Sequence, residues 1–164
     1  MIRPCAEADL PVAESIINDA ARAYRGVIPP DCWHEPYMSR SELMAEIAAG
    51  VAFSGWEDED IGTLVGVMGL QTVRDVTLIR HAYVQSSHQG RGIGAALLGA
   101  LAGQTKRRLL VGTWAAAEWA IRFYRRRGFV QVPAPEKELL LKTYWSVPLR
   151  QQASSVVLVR DGTE

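Results

Sequence analysis

The stretch His88-Gln89-Gly90-Arg91-Gly92-Ile93-Gly94-Ala95-Ala96-Leu97-Leu98 constrains this chain more than any other. Glycines stand at every second position just before a run in which Ile93, Ala96, Leu97, Ala100 and Leu101 recur at helical spacing, and the helix is expected to reach about Gln104. Glycine in the first turn of a helix is costly relative to alanine. A turn built from it points to what glycine alone does: it takes φ > 0 and lets another group come close to the backbone. A helix start adds unpaired N–H groups and a partial positive charge. Together these read as a phosphate cradle.

The flanking runs set the topology. Val76 to Gln85 reads as a strand before the turn, and the short apolar run Leu109 to Trp114 as a buried strand after the helix. A strand–helix–strand crossover makes that pair parallel. Upstream, Val51 to Trp56, Leu64 to Gln71 and Val76 to Gln85 are joined by short connections, one of them the acidic turn Glu57–Asp60, and predict an antiparallel meander. Ile2 to Cys5 is a short first strand. Asp9 and Pro11 open a helix carrying Ala13, Ile16, Ile17, Ala20, Ala21 and Tyr24. Arg25 to Met38 is a long proline-bearing loop whose Trp33, His34 and Tyr37 suit a binding element. Ser39-Arg40-Ser41-Glu42 is a capping box, opening a helix with Leu43, Met44, Ile47 and Ala48 on one face and Gly50 at its end.

Past the crossover, a helix from about Ala116 to Arg127 places Trp119, Ala120, Phe123 and Tyr124 on one side and ends at Gly128. Phe129 to Val132 is a strand, Glu136 to Ser146 a helix and Ser155 to Arg160 the last strand. The fold class is α/β in the α+β sense: a mixed, mostly antiparallel twisted sheet of about six or seven strands flanked by helices, in a single domain spanning 1–164.

Composition narrows the partners. Lys plus Arg and Asp plus Glu are 18 each, so no net charge draws the chain to nucleic acid or an anionic membrane. No apolar run approaches the roughly 18 residues that span a bilayer, and the start, MIRPCAEADLP, lacks a signal-peptide pattern. Cys5 and Cys32 have neither CxxC spacing nor paired histidines, so they read as free thiols of a cytoplasmic protein without a metal site.

Several phosphate ligands fit a glycine turn. A nucleoside-triphosphate loop needs Lys and Ser or Thr after its last glycine, whereas Ala95 and Ala96 follow Gly94. A dinucleotide site is formally met by Gly90-x-Gly92-x-x-Ala95, but the next strand ends in Gly112-Thr113-Trp114 with no carboxylate to hold a ribose. A third reading joins distant parts of the chain. Gln89-Gly90-Arg91-Gly92-Ile93-Gly94 fits the pattern Gln/Arg-x-x-Gly-x-Gly/Ala after the strand end Ala82-Tyr83-Val84, and Ala120-Ile121-Arg122-Phe123-Tyr124 followed by Gly128-Phe129 fits a second one. With both motifs in this order, the chain resembles the GNAT superfamily of acetyl-CoA-dependent N-acetyltransferases over nearly its whole length. It departs at Ala117, where the family often has a cofactor-holding asparagine, and at Ala82, usually leucine.

The resemblance implies acetyl-CoA as cosubstrate, with its pyrophosphate on the backbone of Gln89, Gly90, Arg91, Gly92, Ile93, Gly94 and Ala95. It implies that the parallel strands splay, that the pantetheine arm enters the gap, and that the Val84 N–H points at the acetyl carbonyl. Tyr124 matches the family's general acid, with packing on the helix stripe as its alternative role. The base stays open between His81, on the strand before Val84 and on the Tyr83 face, and Glu35 or Asp31 in the long loop. His88 and one of Arg122, Arg125, Arg126 and Arg127 are placed to meet phosphate, or simply to face solvent. Trp33, Tyr37 and Tyr83, with Tyr144-Trp145, suggest apolar walls for a small-molecule or peptide amine. A homodimer is compatible with this reading, and so is a non-catalytic domain that binds acetyl-CoA as a sensor.

Overall fold

A computed structural model describes residues 1–163. Seven strands form one sheet in the order β1-β2-β3-β4-β5-β7-β6: β1 Ile2–Pro4, β2 Ala52–Asp58, β3 Thr63–Val73, β4 Val76–Val84, β5 Arg108–Trp114, β6 Val130–Gln131 and β7 Ser155–Arg160. All neighbours are antiparallel except β4 and β5. That exception is the crossover through the glycine turn, as the spacing predicts.

Among the described residues, six helices flank the sheet: α1 Leu10–Ala21, α2 Arg40–Ala48, α3 Ile93–Ala102, α4 Glu118–Arg125, α5 Ala134–Tyr144 and α6 Leu149–Ala153. On one face, Leu97, Leu98 and Leu101 of α3 and Ile121 and Tyr124 of α4 pack on Met68, Ile79, Val111 and Leu158. On the other, Ile16 and Ile17 of α1 and Leu43 of α2 pack on Phe53, Leu64 and Val67, and Leu140 and Leu141 of α5 cover Leu78, Leu110 and Val157.

The loop joining α1 to α2 holds two short 3-10 turns, Arg22–Tyr24 and Pro30–Cys32. Ser39 caps α2 by accepting the Glu42 N–H at 3.2 Å. Only Leu43 of the expected α2 face is buried; Met44 and Ile47 are exposed, because the short helix lies over the sheet with a single row. In α3 the buried set includes Leu98 and leaves Ala100 exposed. In α4, Trp119 is 40% exposed, and Ile121 takes the inward position. Helix α6, after Pro148, is not expected from its sequence.

α3 sits unusually close to the sheet. A Cβ at Gly66 of β3 would lie 3.0 Å from Ile93 and 3.3 Å from Leu97, so this glycine lets the first residue of the helix rest on the strand. Asp9 accepts both outer nitrogens of Arg3, at 2.8 and 3.0 Å, while the Arg3 Nε donates to Glu57, tying β1 to β2 and to the start of α1.

Candidate active site

β4 and β5 pair from Val76↔Arg108 to Ile79↔Val111 and no further, although both strands run on, to Val84 and Trp114. Two constraints pull them apart. β5 stays with β7, paired through Trp114↔Ser155. β4 stays with β3 but shifts register there, with Arg80 opposite Gly69 and Tyr83 opposite Val67. The extra residue is taken up as a bulge in which His81 has φ +51, and such a bulge bends its strand. A Cβ at Gly69 would come within 3.1 Å of the Arg80 carbonyl, so the bulge closes over a glycine.

Past the bulge the ladder sets the direction of each N–H. Gln85 donates to the Val65 carbonyl at 2.8 Å. Alternation along an antiparallel pair then turns the N–H and C=O of Val84 away from β3 and into the gap. The Val84 carbonyl accepts Gln89 Nε2 at 3.0 Å, which pins the next turn to the mouth of the gap.

That turn is built as a donor surface. Gly90 and Gly92 have φ +76 and +80, and a Cβ at either would meet nothing within 4 Å. Gly92 is the N-cap of α3, its carbonyl accepting the Ala96 N–H at 3.0 Å. Among the described residues, none of the backbone N–H groups from Gln89 to Ala95 donates to a protein acceptor. Gly94 differs, since a Cβ there would touch the Phe123 ring at 3.5 Å, an ordinary contact. Asp19 of α1 accepts the Ser86 N–H and hydroxyl at 2.7 and 3.1 Å and anchors the turn from below. His88 spends its ring locally, with Nε2 3.3 Å from Asp58 and Nδ1 2.8 Å from the Ser87 hydroxyl. Arg91 is exposed and reaches the Ser87 carbonyl at 3.4 Å.

A cleft of about 670 Å³ runs from this turn along Val84, Phe123 and Trp119. A smaller cavity of about 170 Å³ lies between the splayed strands toward α5 and α6, with Arg80, His81, Thr113, Trp145, Gln151 and Ser155 in its wall. Tyr24, Ala82, Tyr83, Ala120 and Tyr124 line both. The Tyr124 ring packs edge-on against Phe123 and Phe129, with centroids 5.0 and 5.4 Å away. Its phenol has no protein hydrogen bond among the described residues, and burial raises it well above the ordinary phenol range. It is therefore a neutral O–H at the junction of the two spaces.

The cavity side carries further aromatic residues. The Tyr24 phenol faces Tyr83 on β4 and Thr113 on β5, bridging the gap. Burial pushes the Tyr37 phenol up to about 12, and that oxygen accepts the Trp114 Nε1–H at 2.9 Å. Tyr83 is raised by burial too. Trp33 stacks on Tyr37 at 5.9 Å but lines a separate groove on the far side of Trp114, so it does not join Tyr37 and Tyr83 in the cavity wall. Asp31 pairs with Arg150 and Glu35 lies near Arg25, which removes both loop carboxylates from the cavity. Ala117 is fully buried beside Ile28 and Trp114.

His81 is on the cavity wall, on the same face as Tyr83, stacked on Phe53 at 6.1 Å. Its Nε2 is 3.3 Å from Oε2 of Glu46, a residue of α2 whose importance the sequence does not reveal. The same carboxylate oxygen accepts Arg80 Nη2 at 2.9 Å. Glu46 is held below the usual carboxylate range, by His81 foremost and then by Arg80, against the opposing effect of burial.

The sequence model of the acetyltransferase (GNAT) family matches residues 13–129. No curated protein sequence matches the chain at a significant level. Among solved structures, the PaiA N-acetyltransferase of Thermoplasma acidophilum, in complex with coenzyme A, superposes with a TM-score of 0.73 at 17% identity, covering 98% of each chain. The ribosomal-protein-S18-alanine N-acetyltransferase of Escherichia coli gives 0.71 at 17% identity, over 100% of this chain and 94% of that one. A phosphinothricin acetyltransferase of Sinorhizobium meliloti, in complex with acetyl-CoA, gives 0.71 at 20% identity, over 100% and 89%.

Proposed function

The chain belongs to the acetyltransferase (GNAT) family, and on that premise we propose that it moves the acetyl group of acetyl-CoA to a primary amine of a small molecule or peptide by direct attack. The observation that carries the proposal is the run of unpaired N–H groups from Gln89 to Ala95, which leads into a gap where the Val84 N–H is also turned inward. A pyrophosphate needs several converging donors and room for its oxygens. The left-handed, open positions of Gly90 and Gly92 provide both. Solved relatives in fold act on a ribosomal protein and on phosphinothricin, so protein and small-molecule amines both belong in the assay.

In this reading the cleft holds the coenzyme and the cavity the acceptor, with the thioester at Ala82, Tyr83, Ala120 and Tyr124. The amine enters as an ammonium ion and must lose a proton before its nitrogen can attack. His81 receives that proton from the acceptor side. As the C–N bond forms, the carbonyl oxygen gains negative charge and the Val84 N–H stabilises it. The C–S bond then breaks, the departing sulfur takes the Tyr124 proton, and the tyrosinate takes the remaining proton from the former amine nitrogen. One proton, on His81, returns to water.

The decisive test is thiol release from acetyl-CoA across a panel of amino acids, polyamines, arylalkylamines and short peptides. Thiol release with matching N-acetyl product supports the proposal. Tight acetyl-CoA binding with no transfer to any amine would replace it with the sensor reading.

A further inference from the structure

Resting on the acetyltransferase reading above, we infer that Glu46 is a positioning residue for His81: its carboxylate orients the imidazole and stabilises the imidazolium that forms when His81 takes the proton of the acceptor amine. Three observations meet at this pair. His81 occupies φ +51, a conformation that non-glycine residues take at a cost and that clusters at functional sites. The bulge responsible breaks strand alternation, so that Arg80 and His81, consecutive in sequence, both reach the same Glu46 oxygen, at 2.9 and 3.3 Å. Finally, His81 Nε2 is buried and makes no hydrogen bond, although the carboxylate lies beside it. A buried ring nitrogen without a hydrogen bond is costly and calls for an explanation. Catalytic hydrogen bonds are often long before substrate binds and tighten in the complex.

The division of labour follows from the ring. With its proton on Nε2, facing Glu46, neutral His81 keeps its basic lone pair on Nδ1. The acceptor ammonium gives one proton to Nδ1, the neutral amine remains, and the new charge on the ring sits against Glu46. No bond to carbon forms or breaks in this step. The surroundings agree in sign. Among the described residues, the charged partners at the ring and beside it are Glu46 from α2 and Arg80 from β4; Phe53 of β2 stacks on the ring, and Tyr37 and Tyr83 of the same cavity wall are neutral phenols. Arg80 alone would oppose a second positive charge, and Glu46 offsets it.

Two measurements on the full chain test the inference: the pH dependence of kcat/KM, and the pH at which the His81 ring charges, read by NMR with His81→Gln used for assignment. In Glu46→Gln the ring should charge about one unit lower in pH, the acidic limb of kcat/KM should move down by the same amount, and the plateau should fall roughly tenfold. Glu46→Asp, which keeps the charge and serves if the glutamine variant folds poorly, should hold the limb near its wild-type position. Acetyl-CoA should raise the melting temperature of all variants equally. A ring that charges at the wild-type pH in Glu46→Gln overturns the pairing, and a limb that stays while the ring moves overturns the role of the pair in proton removal; either leaves the acetyltransferase reading standing. A wild-type chain that binds acetyl-CoA but acetylates no amine defeats that reading, and this inference with it.

Discussion

Ile79 and Val111 are the last residues that β4 and β5 share across the parallel ladder. Beyond them one strand bulges toward β3, the other follows β7, and the backbone of Val84 is left facing an opening rather than a neighbour. The sheet thus opens between β4 and β5 beyond this pair.

The proposed phosphate-binding role of the glycine turn is tested by charge at nearly constant shape. Gly92→Asn and Gly92→Asp both place a residue that tolerates the left-handed region at φ +80, so their backbone penalties should be similar. A ligand at a hundredfold excess over its Kd adds about 2.7 kcal/mol, or roughly 5–10 °C in a domain of this size. Acetyl-CoA should produce that rise in the wild type, less in the asparagine variant and none in the aspartate variant. An aspartate variant stabilised as much as wild type would place the pyrophosphate elsewhere.

Tyr124→Phe should separate chemistry from packing. The phenol has no protein hydrogen bond among the described residues, so its removal leaves no buried partner stranded. The melting temperature and acetyl-CoA affinity should barely change. Single-turnover acetyl transfer should fall by about 10²–10⁴ if the phenol protonates the thiolate. Unchanged single-turnover rates in a folded variant would assign Tyr124 to packing alone.

Gly66→Val should couple stability to coenzyme binding. The added side chain meets Ile93 and Leu97 at contacts already tighter than usual for a Cβ, and overpacking of this kind costs about 1–3 kcal/mol. Because Ile93 opens the helix that follows the glycine turn, the expected result is a lower urea midpoint together with weaker acetyl-CoA binding. A loss of stability with unchanged affinity would show that the turn is positioned independently of β3.

Acid should act on the junction of β1 and α1. The Arg3 guanidinium, and then the Ala6 N–H, hold the Asp9 carboxyl below the usual range. A carboxylate lowered in the folded state stabilises fully above its unfolded value, about 3.9, and the contribution disappears as pH falls through the lower folded value. Arg3→Met should therefore cost about 1 kcal/mol at pH 7, and the gap from wild type should close in strong acid. Urea unfolding at both pH values measures it; a gap independent of pH would mean that Arg3 acts through packing.

What could be read from the sequence was local. Ser155–Arg160 is a run of apolar residues with clear ends, and it forms β7 as expected. The glycine turn and its crossover were legible because one short motif fixes both the left-handed backbone and the parallel direction. Glu46 was not legible: it lies on an exposed-looking helix, and its partners Arg80 and His81 reach it only through a bulge that no spacing rule announces. Tyr24 reads as part of a helix stripe, because its contact with Thr113 depends on strands splaying far away in sequence. Helix α6 was hidden because Leu149-Arg150-Gln151-Gln152-Ala153 offers no apolar period.

The cleft runs toward α3 and α4 and the cavity toward α5 and α6, and only the walls at Tyr24, Ala82, Tyr83, Ala120 and Tyr124 are common to them. On the proposed assignment of coenzyme to the cleft and acceptor to the cavity, the two arrive along separate routes, and neither obstructs the other. Kinetically, this geometry supports a ternary complex with no stored acyl-enzyme, and an inhibitor confined to the acceptor side would not compete with the coenzyme. Steady-state lines measured at several fixed acetyl-CoA concentrations should intersect rather than run parallel.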